Sequence, residues 1–240
     1  MSDAAAIADR FTTVRRRLDE ACARAGRRRD EVVLVAVSKR QPVDRCRAAV
    51  AAGQRIFGES RVQEAEEKRG DLPTDLEWHL IGPLQSNKAK RAARLFDVVH
   101  SLDRPKIVRL LDREAREQGR TIDAFLQINV GGEASKSGFH DTRFDDQVRP
   151  LIEHGRAESG SPGVRFIGLM AIPPFEADAE EARRWFRRLR ELRDRVASWP
   201  EWSGFRGDLS MGMSHDFEIA IEEGATHVRV GTDCFGVRPS

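Results

Sequence analysis

Glu31-Val-Val-Leu-Val-Ala-Val37 is, after its opening Glu31, an unbroken apolar run, mostly β-branched, with no polar residue alternating through it. Alternation marks a strand that is wet on one face, whereas a continuous run marks one buried on both, as in a parallel sheet covered by helices. Downstream, short apolar runs recur near Arg55–Phe57, Trp78–Ile81, Val98–His100, Ala124–Val130, Arg165–Met170, Asp208–Met211 and His227–Val230, making eight with the first. Helical patterns separate them at Val43–Ala52, Arg61–Lys68, Asn87–Leu95, Pro105–Glu117, Asp145–His154, Ala179–Ala197 and His215–Glu223. Upstream, Ile7, Phe11, Val14, Leu18 and Cys22 fall at helical steps between Ala4 and Arg24. Strict alternation of strand and helix implies parallel βαβ units. Eight of them in 240 residues close most naturally into a barrel, since a doubly wound open sheet more often stops at five or six. The sequence therefore predicts the α/β class: a single (β/α)8 TIM-barrel domain over residues 1–240, with an extra N-terminal helix. The longest irregular stretches, Gly131 to Asp141 and Gly155 to Pro162, are followed by too little independent chain to form a second domain.

Composition narrows the function classes. A net charge of +2 over 80 charged residues offers no basic field for nucleic acid. The densest basic run, Arg183 to Arg195, is interleaved with Leu189, Glu191, Leu192 and Asp194 and reads as a solvated helix face laced with ion pairs. Cys22, Cys46 and Cys234 are odd in number and widely spaced, which suits neither a disulfide framework nor a structural zinc site. The first ten residues carry acidic side chains and no apolar run, so neither a secretory signal nor a membrane anchor is expected. A monomer in the reducing cytoplasm, with no metal, is the expectation. Of the 41 basic residues 35 are Arg and six are Lys, so a Lys beside a buried strand poses a chemical question.

In a parallel barrel the residues just after each strand carry function. Lys39 follows the first strand by two residues, with apolar walls expected below it. Burial there would disfavour the ammonium and supply the neutral amine that a Schiff base requires. On position alone, a lysine that snorkels from the first loop to water explains the residue as well. The loops after strands seven and eight turn the reading, because that part of a barrel recurrently holds phosphate. Ser214 precedes an expected helix start and would cap it. Gly231 and Thr232 follow the last strand, offering close backbone approach and a hydroxyl. Arg229 lies within that strand, and if it points inwards its fork needs a buried acceptor. The pyridine nitrogen of a cofactor would serve.

These residues together resemble the pyridoxal phosphate homeostasis protein family, the YggS-like proteins related to the barrel domain of alanine racemase. The matching stretches are Ala36–Lys39, Phe57–Glu59 with Val62–Glu64, Trp78–Lys88, Asn129–Gly138, Gly168–Met170, Ser210–Ser214, and Val230–Thr232 with Phe235-Gly236. The resemblance implies pyridoxal 5′-phosphate carried as a Schiff base on Lys39, with Ser60, Met213, Ser214, Arg229, Gly231 and Thr232 as further cofactor-binding residues. It also implies a non-catalytic role in vitamin B6 and amino- and keto-acid homeostasis, with PLP-dependent apoenzymes as recipients. Ser60 departs from the Asn usual in relatives, which puts one direct bond to the cofactor in question. Lys88 and Lys136 are candidate secondary sites, although Lys136 reads more simply as an exposed loop lysine paired with Glu133.

The racemases need a lysine on one face of the substrate and a tyrosine on the other, and this chain contains no tyrosine. Nor do 240 residues leave room for the extra β-domain that supplies it. Two other readings stay open: a small PLP-dependent racemase or lyase using another base, with His79, His215 and Cys234 near strand ends, and a Schiff-base aldolase working without PLP.

Overall fold

The structure is a computed structural model that describes residues 3–133, 136–157, 163–174, 176, 178–202 and 205–237. Its strands are β1 (Val33–Val37), β2 (Ile56–Glu59), β3 (Glu77–Leu80), β4 (Val98–Leu102), β5 (Ile122–Asn129), β6 (Phe139–His140), β7 (Val164–Ala171), β8 (Asp208–Ser210) and β9 (His227–Val230). All pairings are parallel, and the ring β1-β2-β3-β4-β5-β7-β8-β9 closes where β9 returns to β1, register Val33↔His227 to Ala36↔Val230. It is the expected eight-stranded TIM barrel. The dipeptide β6 pairs with the end of β5 outside the ring, so the stretch from Gly131 to Asp141 is not irregular throughout. Ala134, Ser135 and residues 158–162 of the two irregular stretches lie outside the described residues.

Around the barrel run α1 (Asp3–Arg24), α2 (Val43–Ala51), α3 (Val62–Asp71), α4 (Ala89–Leu95), α5 (Pro105–Glu117), α6 (Phe144–Ala157), α7 (Arg183–Ala197), α8 (Phe217–Glu222) and α9 (Thr232–Phe235). The apolar stripe of α1 buries Ile7, Phe11, Val14, Leu18 and Cys22, as its spacing predicts. It packs on α2, α8 and α9 and so braces the seam where the last strand meets the first. The basic helix α7 is laced with ion pairs, Arg183, Arg187 and Arg190 all converging on Glu223. No helix among the described residues is long and apolar enough to cross a membrane.

The core has two shells. Leu34, Ala36, Phe57, Trp78 and Leu80 pack outwards against the helices. Inside the ring Val98, Phe125, Ile167 and Met170 form a separate cluster. At the strand N-termini Asp123 pairs with Arg165 at 2.6 Å and Asp208 with Arg206 at 2.8 Å, so ions collect at the end away from the loops read above. Glycine is indispensable where strands crowd: a Cβ on Gly168 would stand 2.0 Å from the Asp208 carbonyl of β8. Gly168→Ala should therefore cost about 3 kcal/mol or more, because backbone rather than a side-chain tip must move. Gly70 in α3 has nothing within 4 Å, and Gly70→Ala should be neutral or stabilise by about 0.5–1 kcal/mol. Urea unfolding of the two variants checks the contrast.

Candidate functional site

β1 lies between β2 and β9, so the loops following these three strands are neighbours at one rim. Lys39 occupies the turn after β1, half-buried, and its amine makes no hydrogen bond or ion pair among the described residues. With Ser60, Arg61, Val62, Gln63, Pro83, Gln85 and Lys88 it lines a cleft of about 660 Å³. Ser60 is held there by the loop after β3, since only a glycine at position 82 lets the two loops touch: a Cβ would come within 2.4 Å of the Ser60 carbonyl oxygen. The cleft stops short of Met213, Ser214, Arg229, Gly231 and Thr232, which stand on the β9 side of β1.

That second group is assembled by backbone geometry. Gly212 has φ +89°, and a Cβ there would meet Ala220 at 2.6 Å, so glycine alone lets the β8 loop lie on α8. Its carbonyl accepts from the Arg229 N–H at 3.0 Å, tying that loop to β9. Ser214 does not cap the helix that follows it. Asp216 is the N-cap residue of α8, its carboxylate turns back into the loop to accept the Met213 N–H at 2.7 Å, and the helix begins two residues later than expected. The Ser214 hydroxyl instead accepts, at 3.4 Å, from the Asp233 N–H in the first turn of α9. The two loops singled out separately in the sequence are thus joined. Met213 is 37% exposed at their edge. Arg17 of α1 secures the arrangement from outside, bonding Glu218 at 2.6 Å, pairing with Asp233, and stacking over the Phe217 ring at 4.5 Å.

Arg229 points inwards and is buried. Its Nη1 donates to Ser210 Oγ at 2.5 Å and its Nη2 to the Ala171 carbonyl at 3.0 Å. Burial lowers its pKa to about 10, against the pull of Asp216, so the guanidinium stays charged at neutral pH. From Ser210 a buried chain runs down the lumen: to His100 Nδ1 at 2.7 Å, from His100 Nε2 to His79 Nδ1 at 2.9 Å, and from His79 Nε2 to Glu77 at 2.7 Å. Arg229 can only donate, and an ionised Glu77 can only accept, so with neutral imidazoles Ser210 donates to His100, His100 to His79 and His79 to Glu77. The His79 bond holds the Glu77 carboxyl below its usual range. Burial, then the neighbouring charges, pushes His100 and His227 well below the ordinary histidine value.

Sequence reading named His79 near a strand end but missed this chain, because His100 and Ser210 lie 110 residues apart. His79 and Cys234 are buried, and burial pushes the Cys234 thiol up, whereas His215 is exposed. Lys136 pairs with Glu133 at 2.8 Å, as expected of a loop lysine.

The chain matches the family of the alanine racemase N-terminal domain over residues 3–239, which sets its class as a barrel of the racemase type. A curated relative from Aquifex aeolicus, a pyridoxal phosphate homeostasis protein, is 41% identical over 231 residues, covering 96% of this chain and 97% of its own. Among solved structures, PipY of Synechococcus elongatus without PLP gives a TM-score of 0.81 at 39% identity, covering 96% of this chain and all of that one. The same protein with PLP bound gives 0.77 at 38% identity, with the same coverage. The chain belongs to the pyridoxal phosphate homeostasis protein family.

The lumenal histidines predict a pH dependence. A histidine neutral in the fold but titrating normally when unfolded makes the unfolded state bind the extra proton below about pH 6.5. Stability is fully present above that value and falls as pH drops towards the lowered native pKa. His100 and His227 should each contribute a loss of roughly 1.4 kcal/mol per pH unit over that window. Urea midpoints measured between pH 7.5 and 5.5 read the slope, and a flat profile would contradict neutral lumenal histidines.

Proposed function

We propose that this protein carries pyridoxal 5′-phosphate as a Schiff base on Lys39 and serves intracellular vitamin B6 and amino- and keto-acid homeostasis without turning amino acids over. In this reading Ser214, Gly231 and Thr232 hold the phosphate, Arg229 faces the pyridine nitrogen, and Ser60 and Met213 complete the contacts. The observation that carries it is the adjacency at one rim of a lysine amine without a partner among the described residues and two loops tied together beside it, over a buried guanidinium. PipY, a relative over nearly the full chain, has a PLP-bound structure.

The residues present fit such a ligand. Gly231 has φ −112°, a conformation open to any residue, and a Cβ there would touch Val37 at an ordinary 3.4 Å. Neither backbone nor packing asks for glycine, so the space above it suits an anion's oxygen approaching the chain. Thr232 adds a hydroxyl at the start of α9, where the Asp233 N–H is taken by Ser214 and those of Cys234 and Phe235 by the Gly231 carbonyl. When bound, the cofactor would supply an electrophilic imine and an electron-poor ring.

The chain's own groups favour carriage over turnover. Arg229 keeps its proton at neutral pH and can only donate, so a ring nitrogen facing it would stay unprotonated and be a weak electron sink. No tyrosine is present to act as an opposing base. His79 is committed to the lumenal chain and Cys234 is a buried thiol, which weakens the reading of a racemase or lyase with another base.

Borohydride reduction of the loaded protein should leave a pyridoxyl group on the peptide containing Lys39. Label confined to Lys88 or Lys136 would overturn the assignment. Pyridoxal without phosphate should bind at least about tenfold more weakly, several charge-assisted bonds being lost together. Gly231→Val should weaken binding more than Thr232→Ala. In deuterated water, α-proton exchange of L- and D-amino acids should stay at the level given by free cofactor, while Lys39-dependent exchange at about 1–10³ s⁻¹ would establish an enzyme.

A further inference from the structure

Lys39 stands in a turn whose two flanks are fixed by charges the proposed chemistry does not use. The turn closes with the Gln41 N–H donating to the Ser38 carbonyl at 2.9 Å. Inside it Arg40 adopts φ +59°, the left-handed region that glycine or asparagine normally fills. Arg40 is the only non-glycine residue recorded there among the described residues, and it adjoins Lys39. Backbone of this kind persists only where its surroundings hold it.

The holding groups come from β2 and α3. Lys68 is buried at 6% exposure, and its ammonium donates to the Ser38 carbonyl at 2.6 Å, to Glu59 Oε1 at 2.6 Å and to Glu64 Oε1 at 2.8 Å. An ammonium has three protons, and each has an acceptor. The fully buried Ser38 hydroxyl donates to the same Glu59 oxygen at 2.6 Å, and the Ser38 N–H donates to the Gly58 carbonyl at 3.1 Å. On the other flank the strained Arg40 N–H donates to the same Glu64 oxygen that Lys68 engages. Burial works against the Lys68 ammonium, but Glu59 and Glu64 outweigh it and raise its pKa above the ordinary lysine value.

A buried ion pair is weak support for stability in itself, since desolvation consumes much of the attraction; its best-attested use is to fix one arrangement among several. The geometry points to Lys68, Glu59 and Glu64 as positioning residues that hold the Lys39 turn in the conformation needed for its amine to form the Schiff base. The inference rests on the reading of Lys39 given above. It assigns the covalent step, not the grip on ring and phosphate, to this cluster. The bond formed is the C=N between Lys39 Nζ and the aldehyde carbon, with water leaving, and no oxidant or reductant is involved.

Two sets of substitutions test it. Lys68→Met with Glu59→Gln removes both buried charges together, so that neither is stranded. Glu64→Ala leaves the Lys68–Glu59 pair and removes the one oxygen that the Arg40 N–H and Lys68 share as an acceptor. Circular dichroism should stay native for at least the second. The dissociation constant for pyridoxal phosphate should rise by about tenfold or more, whereas that for pyridoxamine 5′-phosphate, whose amine cannot form the bond, should stay within about twofold. Hydrogen exchange at the Arg40 amide should accelerate in both. Equal losses for the two ligands, or unchanged affinity for both, would overturn the proposal. Should borohydride label a lysine other than Lys39 in the wild-type protein, the parent reading fails, and the Arg40 exchange result still reports whether the cluster holds the turn.

Discussion

A ring of parallel strands must deliver all its C-termini to one rim, and here the pairing of β9 with β1 is what closes the ring. That closure sets Gly231 beside Val37 and therefore the β9 loop beside the turn of Lys39. The first and last strands are 190 residues apart in sequence, and α1 is laid over their junction through α2, α8 and α9. Arg17 converts that covering into a fixed contact with the helices that begin after β8 and β9. Ion pairs of Asp123 and Asp208 occupy the opposite rim, so one end of the barrel is committed to holding strands and the other is free to present groups.

Closure also creates a lumen that must be filled without stranding a polar group. Phe125, Ile167 and Met170 fill part of it, but Arg229 brings in a charge that demands acceptors. With both imidazoles neutral, the chain through Ser210, His100 and His79 to Glu77 answers that demand in one tautomeric arrangement, because it starts at a pure donor and ends at a pure acceptor. In that state, turning either imidazole round would set donor against donor or acceptor against acceptor. The guanidinium is thus supported rigidly from below, beneath the loops that flank Lys39.

Much of this was legible in the sequence, for definite reasons. Short apolar runs locate buried strands, and all eight barrel strands fall where such runs were read. The stripe of α1 and the pairing of Lys136 with Glu133 are local patterns of three and four residues, and they too were readable. What escaped is what depends on the ring. Phe139–His140 is a strand only because the end of β5 lies open beside it. Ser214 looked like the cap of the next helix because capping is read from neighbours along the chain, whereas its partner is 19 residues away at Asp233. The lumenal chain and the Lys68 cluster combine residues of ordinary type, and only their convergence in space makes them unusual.

The lysine count makes a last point. A chain with 35 arginines and six lysines uses guanidinium for most of its surface positive charge. At Lys68 it would not serve. The acceptors there, one carbonyl and two carboxylate oxygens at 2.6 to 2.8 Å, converge on a single atom, and a planar fork that spreads its donors over three nitrogens cannot meet them together. The compact ammonium with three rotatable donors can. At Lys39 the Schiff base proposed above sets a different demand: a guanidinium holds its proton too firmly to act as an amine nucleophile, while a lysine can be neutral when it reacts. In the proposed reading two of the scarce lysines are therefore chemically non-interchangeable with arginine, one as a point charge and one as an amine. The backbone of Ser38 and Arg40 connects them.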